Sequence, residues 1–323
     1  MRAANSDRPI ARAPMESNAT SMAASPQPAP AVNVVHDLPR ARTGYFVAGT
    51  GMPVVMLHSS LGSKGQWSVL AEQMSARYRV IALDLCGYGD NPPVASAASF
   101  TLDDEVRLVG DRLDALIEPH LRVHVIAHSY GGLVALRLAQ RARGRVVSLA
   151  LYEPVAFRLL ADDDPANVDV RRLSERVARL VASGHRHAAA LAFVDFWSGN
   201  GSFAALPLPA QTAIARRVDK LPLDFQAARS WPRNAEDLRV VAAPTLLVTG
   251  DRSPAVVRRI HRMLVRLLPN ARVAALDAGH MGPITDSARV NAWIEAFIDE
   301  CAARDARLPG VRSGASRAAW AAD

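Results

Sequence analysis

Ser129 stands in Ala127-His128-Ser129-Tyr130-Gly131-Gly132, between the apolar run Val123-His124-Val125-Ile126-Ala127 and a segment, Gly131 to Arg143, whose apolar residues recur at helical spacing. A serine on so tight a strand-to-helix turn is lifted above the carboxyl edge of a sheet with its hydroxyl exposed. The flanking residues must be small, because strand and helix backbones pass close together there. An exposed serine hydroxyl is a weak nucleophile until a base takes its proton, and that base needs an acid to orient it. The short pattern recurs by chance; its strand–turn–helix setting gives it weight.

This setting resembles the nucleophile elbow of the α/β-hydrolases, with Ala127 in place of the first glycine. The resemblance extends over residues 40 to 303. After the first parallel strand comes His58-Ser59-Ser60-Leu61-Gly62, where that superfamily carries His-Gly and its oxyanion loop; Ser59 replaces the glycine. By resemblance, the backbone N–H groups of Ser60 and Tyr130 would hold a developing oxyanion, each worth about 3 kcal/mol in the transition state. Asp84-Leu85-Cys86-Gly87-Tyr88-Gly89 resembles the family's Asp-x-x-Gly-x-Gly turn, in which Asp84 is read as structural. The family order is serine, acid, histidine. His280, in Ala278-Gly279-His280-Met281-Gly282-Pro283 between a strand and the last helix, is the expected base. Asp251, in Thr249-Gly250-Asp251-Arg252-Ser253-Pro254, is the preferred acid, although an Asp there also serves as a helix cap. Glu153, in Leu151-Tyr152-Glu153-Pro154, is the alternative acid.

The remaining histidines fall in positions that call for no chemistry. His58 belongs to the oxyanion loop, His124 alternates along a strand, and His128 flanks the serine. His185 and His187 open a helix at i, i+2 spacing and so do not share a face; no metal site is expected. The resemblance implies acyl transfer through an acyl-enzyme, with no metal or organic cofactor. It also implies a helical cap over the site, lined by Phe193, Phe196, Trp197 and Trp231, although an aromatic stripe also serves as a cap's own core. A roofed apolar pocket favours a small hydrophobic acyl substrate, with water as second reactant. The expectation is a serine hydrolase acting on a carboxylic ester or related acyl bond. Alternatives on the same triad are a C–C bond hydrolase of aromatic degradation and a cofactor-free perhydrolase. A non-catalytic binding protein of the same fold is a further alternative. A serine at this position argues against the dehalogenases and epoxide hydrolases of the fold, which use aspartate.

The elements that must position these residues alternate strand and helix. Strands are expected at Val54–Leu57, Arg79–Leu83, Val123–Ala127, Val146–Leu151, Thr245–Val248 and Arg272–Leu276. Helices are expected at Gly65–Arg77, Leu102–Ile117, Gly131–Arg143, Pro254–Leu268 and Ser287–Ala303. Fully apolar strands in alternation with helices mean an α/β fold, a mostly parallel sheet with helices on both faces. Gly44–Val47 with Gly49-Thr50-Gly51 reads as an antiparallel hairpin into the first parallel strand; its Gly-x-Gly precedes a strand and so fails the dinucleotide-binding context. From 155 to 232 helical patterns replace strands, a cap inserted between core segments 40–154 and 233–303. Residues 1–35, rich in Ala, Pro and Ser, read as a disordered extension, and 306–323 as a loose tail.

At 323 residues and 50% hydrophobic composition the chain can bury a full core. Cys86 and Cys301, the two cysteines, form no framework, in keeping with a cytoplasmic protein. The net charge of +7 comes almost wholly from scattered arginines, Lys64 and Lys220 being the only lysines. Basic runs interleaved with aromatics are absent, so no nucleic-acid partner is expected. No segment is long and apolar enough to span a membrane. Oligomeric state is not legible.

Overall fold

The computed structural model describes residues 44–307, apart from 143 and 232–234. The expected extension and tail, and the end of the Gly131–Arg143 helix, fall outside the described residues. Seven strands form one sheet: β1 (Tyr45–Ala48), β2 (Met52–Leu57), β3 (Tyr78–Leu83), β4 (Val123–His128), β5 (Val146–Tyr152), β6 (Thr245–Gly250) and β7 (Ala271–Leu276). Their order is β1-β3-β2-β4-β5-β6-β7. All neighbours are parallel except β1, which pairs antiparallel with β3.

The hairpin reading of Gly44–Gly51 is therefore corrected. Both edges of β2 are occupied, by β3 and β4 in parallel register, so β1 pairs on the free edge of β3, with Tyr45 opposite Leu83. Gly49 and Gly51, at φ of 73° and 102°, carry the chain across.

Every residue of β4 and β5 is buried, because helices cover both faces. Alternate side chains enter two cores. Val123, Val125 and Ala127 face one that contains α2 (Leu102–Leu116), α3 (Tyr130–Arg141) and α8 (Ala255–Leu267). Ile126 faces the other, formed with α1 (Ser68–Met74) and α10 (Ser287–Asp305). The helix expected from Gly65 begins as a 3-10 turn, Lys64–Trp67, before α1. Between β5 and β6 the chain runs through α4 (Pro165–Ala182), α5 (Arg186–Ser198), α6 (Leu208–Ala215) and α7 (Leu221–Ser230). This helical insertion packs on the first core through Leu221, Phe225 and Trp231. A short helix, α9 (Gly282–Thr285), precedes α10.

The order reverses at β2, whose two flanking strands follow it in sequence. The loops after β2 and β4 consequently diverge and open a crevice at the carboxyl edge of the sheet, where open α/β sheets place their ligands.

Candidate active site

The turn after β4 is forced by close packing. A Cβ on Gly131 would lie 2.4 Å from the His58 carbonyl oxygen, and one on Gly132 would lie 2.8 Å from Pro154 Cβ. With α3 pressed this tightly onto the ends of β2 and β5, Ser129 adopts φ 55°, ψ −115°. Leu61 (φ 61°) and Glu153 (φ 45°) are, with Ser129, the non-glycine residues at positive φ among the described residues. Ser129 and Glu153 directly follow the adjacent strands β4 and β5, and Leu61 lies in the loop four residues past β2, the next strand over. Such backbone costs about 1–3 kcal/mol per residue and collects where a site needs side chains aimed across the crevice.

The result is one line of hydrogen bonds. Ser129 Oγ lies 2.9 Å from His280 Nε2, and His280 Nδ1 lies 2.7 Å from Glu153 Oε2. Ser129, His280 and Glu153 are 6%, 3% and 1% exposed, so the line is shielded from water. Glu153 Oε1 accepts from the Gly250 amide (2.7 Å) and the Thr249 hydroxyl (3.0 Å). Burial pushes the Glu153 carboxyl up, but the hydrogen bond and charge of His280, with the Gly250 amide, outweigh it and hold the group below the usual carboxylate range.

Asp251 does not join this line. The positive φ of Glu153 swings its side chain over the end of β6, where it takes the Gly250 amide and fills the one acceptor position facing His280 Nδ1. Asp251, one residue past β6, is left exposed. The acid beside His280 is the alternative, Glu153, in place of the preferred Asp251.

The Ser60 and Tyr130 amides find no acceptor among the described residues, Tyr130 because it is the first residue of α3. Ser59, the departure from glycine, has a partner: its N–H and Oγ both donate to Gln66 Oε1 at 3.0 Å. Gln66 Nε2 reaches His128 Nδ1 (3.2 Å), and His128 Nε2 reaches the His280 carbonyl (2.8 Å). A carbonyl only accepts, so His128 carries its proton on Nε2 and accepts from Gln66. Burial depresses the His128 imidazole well below its ordinary value and keeps it neutral. This chain ties the loop after β2 to the loop of His280. His58 is likewise neutral, brought to about 4 by burial; it accepts the Leu85 amide and donates to the Ser59 carbonyl.

A second polar cluster leaves little trace in the sequence. Asp224 of α7 accepts from Ser60 Oγ and Tyr88 Oη, both at 2.6 Å on Oδ2, and from Lys220 Nζ at 2.5 Å on Oδ1. Lys220 also donates to Glu105 Oε1 (3.0 Å), which accepts from Tyr130 Oη (3.1 Å); the Cys86 amide takes Oε2 (2.9 Å). Lys220, Asp224 and Glu105 are all buried. The one signal of it is Lys220 itself, one of two lysines in an arginine-rich chain, four residues before an aspartate. The other, Lys64, donates to Asp84 and Asp90.

Of the aromatic residues named from the sequence, Trp197 reaches the site: its ring stacks on His280, centroids 4.5 Å apart at 28°. Phe193 and Phe196 pack behind it, at 6.1 and 5.0 Å. Trp231 is not brought to the site; its Nε1 donates to Gln140 of α3 at 2.9 Å, fastening the insertion to the core. His185 bonds Ser183 and His187 packs on Phe203. Among the described residues no group of three His, Cys, Asp or Glu could hold a metal, and no helix is long and apolar enough to cross a membrane.

A family profile described as the alpha/beta hydrolase fold matches residues 52–287. The chain is 28% identical over 255 residues to the dihydrolipoyllysine-residue acetyltransferase component of an acetoin cleaving system from Pseudomonas putida, covering 77% of this chain but 64% of that one. It is 27% identical over 239 residues to a pimeloyl-(acyl-carrier protein) methyl ester esterase from Nitrosomonas europaea, covering 72% and 90%. MenH from S. aureus superposes with a TM-score of 0.67 at 19% identity, covering 80% of this chain and 99% of that one; this likeness is one of fold.

Proposed function

The chain belongs to the α/β-hydrolase family, and on that premise we propose that it is a serine hydrolase cleaving a carboxylic ester, or a related acyl bond, of a small hydrophobic molecule. The observation that carries this reading is the unbroken, buried line Ser129–His280–Glu153. His280 Nε2 takes the Ser129 proton as Oγ attacks the acyl carbon. Glu153 holds the imidazole with its proton on Nδ1 and stabilises the imidazolium that forms. The amides of Ser60 and Tyr130, which have no acceptor among the described residues, receive the oxyanion. His280 then protonates the leaving alkoxide, and a water activated by the same imidazole hydrolyses the acyl-enzyme.

The helical insertion acts as the cap. Trp197, with Phe193 and Phe196 behind it, gives the reacting atoms an apolar roof that excludes bulk water and favours a hydrophobic acyl or alkyl group. An ester is the bond class of the methyl ester esterase to which the chain is similar. The test is labelling by a fluorophosphonate probe together with hydrolysis of p-nitrophenyl esters of rising acyl length. Wild-type protein should label at Ser129 and turn over short and medium chains; Ser129→Ala should do neither. Undiminished hydrolysis by Ser129→Ala would overturn the assignment.

A further inference from the structure

The loop after β2, residues 59–62, must present the Ser60 amide to the oxyanion, and it is held from two directions. Ser59 is fastened to Gln66 within the core. The next two residues are fastened by the insertion: Ser60 Oγ donates to Asp224, and the Leu61 carbonyl accepts from Arg217 at 3.0 Å. Arg217 is solvent-exposed, whereas Asp224 is buried and its contact is charge-assisted. Asp224 is itself immobilised. Lys220 holds its other oxygen and is pinned in turn by Glu105, whose remaining contacts are Tyr130 Oη and the Cys86 amide. One buried cluster thus touches the side chains of both residues whose amides face the oxyanion.

A buried lysine with two carboxylates is a poor way to gain stability, since apolar side chains of similar volume do as well or better. What the cluster supplies is direction. Asp224 Oδ2 tethers Ser60 Oγ, and so restrains how far the residue, with the amide it carries, can turn. We propose that Asp224 is a positioning residue for the oxyanion: carried on the insertion and anchored by Lys220, it sets the Ser60 amide through the Ser60 hydroxyl, so the oxyanion site is complete only when the insertion is seated on the core. This role rests on the serine-hydrolase reading above.

The test is a double-mutant cycle on Ser60→Ala and Asp224→Ala. Ser60→Ala keeps the backbone amide and removes only the tether. Asp224→Ala leaves Lys220 paired with Glu105. Each single variant should lower kcat about tenfold to a hundredfold, within the range for a weakened oxyanion donor, with KM changed less than about threefold. The double variant should fall no further than the worse single. Affinity for an arylboronic acid, which forms a tetrahedral adduct on Ser129, should fall by the same factor as kcat, while affinity for the carboxylate product stays within about threefold. Asp224→Asn, whose amide still reaches Ser60 Oγ, should recover part of the loss. Multiplicative effects in the cycle, or unchanged boronate affinity in Ser60→Ala, would overturn the inference; Ser60→Ala decides it alone if Asp224→Ala does not fold. Failure of the underlying reading looks different: wild-type protein would neither label with fluorophosphonate nor hydrolyse esters.

Discussion

Glu153→Gln tests the proposed triad sharply, because the structure dictates which way the new amide must face. Glu153 Oε1 accepts from the Gly250 N–H, which can only donate, and from the Thr249 hydroxyl. In the glutamine variant the carbonyl oxygen keeps that place and the NH2 is left facing His280 Nδ1, 2.7 Å away in the wild type. Nδ1 must then accept, so the imidazole proton moves to Nε2 and points at Ser129 Oγ, which lies 2.9 Å off. A base that presents a proton to its nucleophile cannot take one. The imidazolium also loses its counter-charge. Losses of this kind are about 10⁴-fold in kcat, or about 5 kcal/mol of transition-state stabilisation. The assay is steady-state hydrolysis of p-nitrophenyl acetate, with a thermal melt to confirm folding. Asp251→Asn, exposed and away from His280, should change kcat by less than about threefold. A hundredfold loss in Asp251→Asn, or a loss under tenfold in a folded Glu153→Gln, would refute the reasoning.

Three further outcomes follow from the geometry. His58 and His124, each brought to about 4 by burial against 6.5 in the unfolded chain, bind protons first when unfolded; stability should be whole above about pH 6.5 and decline as pH falls toward 4. The loss should approach about 3 kcal/mol per histidine, read as urea midpoints, and a flat profile between about pH 7.5 and 5 would contradict it. Gly131→Ala should destabilise by about 1–3 kcal/mol and lower kcat at least tenfold, since its Cβ would meet the His58 carbonyl at 2.4 Å and displace the loop of Ser60; unaltered melting and rate would show that this contact is soft. Ser129→Gly should be inactive yet more stable than wild type by about 1 kcal/mol, because glycine occupies φ 55° freely; a lower denaturation midpoint would show that the turn is not strained.

The serine and histidine of the proposed triad are legible in the sequence because each sits in a setting that sequence displays: small residues at a strand-to-helix turn, and a Gly-His loop before the last helix. The acid is not fixed there, because carboxylates follow both β5 and β6. The choice between them depends on a backbone torsion at Glu153 and on the Gly250 amide that its carboxylate takes, neither of which has a compositional trace. The hairpin reading fails for a related reason: local glycines mark a reversal of the chain but not which strand has an edge to offer. Residues joined over long separations are invisible. Ser60 meets Asp224 across 164 positions, and His128 meets the His280 carbonyl across 152. Trp197 and Trp231 carry the same signature in sequence, and only packing sends one onto His280 and the other onto Gln140.

Positive φ at Leu61, Ser129 and Glu153 has a consequence for how the sequence can drift. Leu61 fills the core and Glu153 is held by Gly250, Thr249 and His280, so both side chains repay their strain, whereas at Ser129 selection for robustness alone would favour glycine. Persistence of that serine in a lineage would then be a signature of selection for turnover. Among descendants that have lost activity, glycine at position 129 should be an early change to spread.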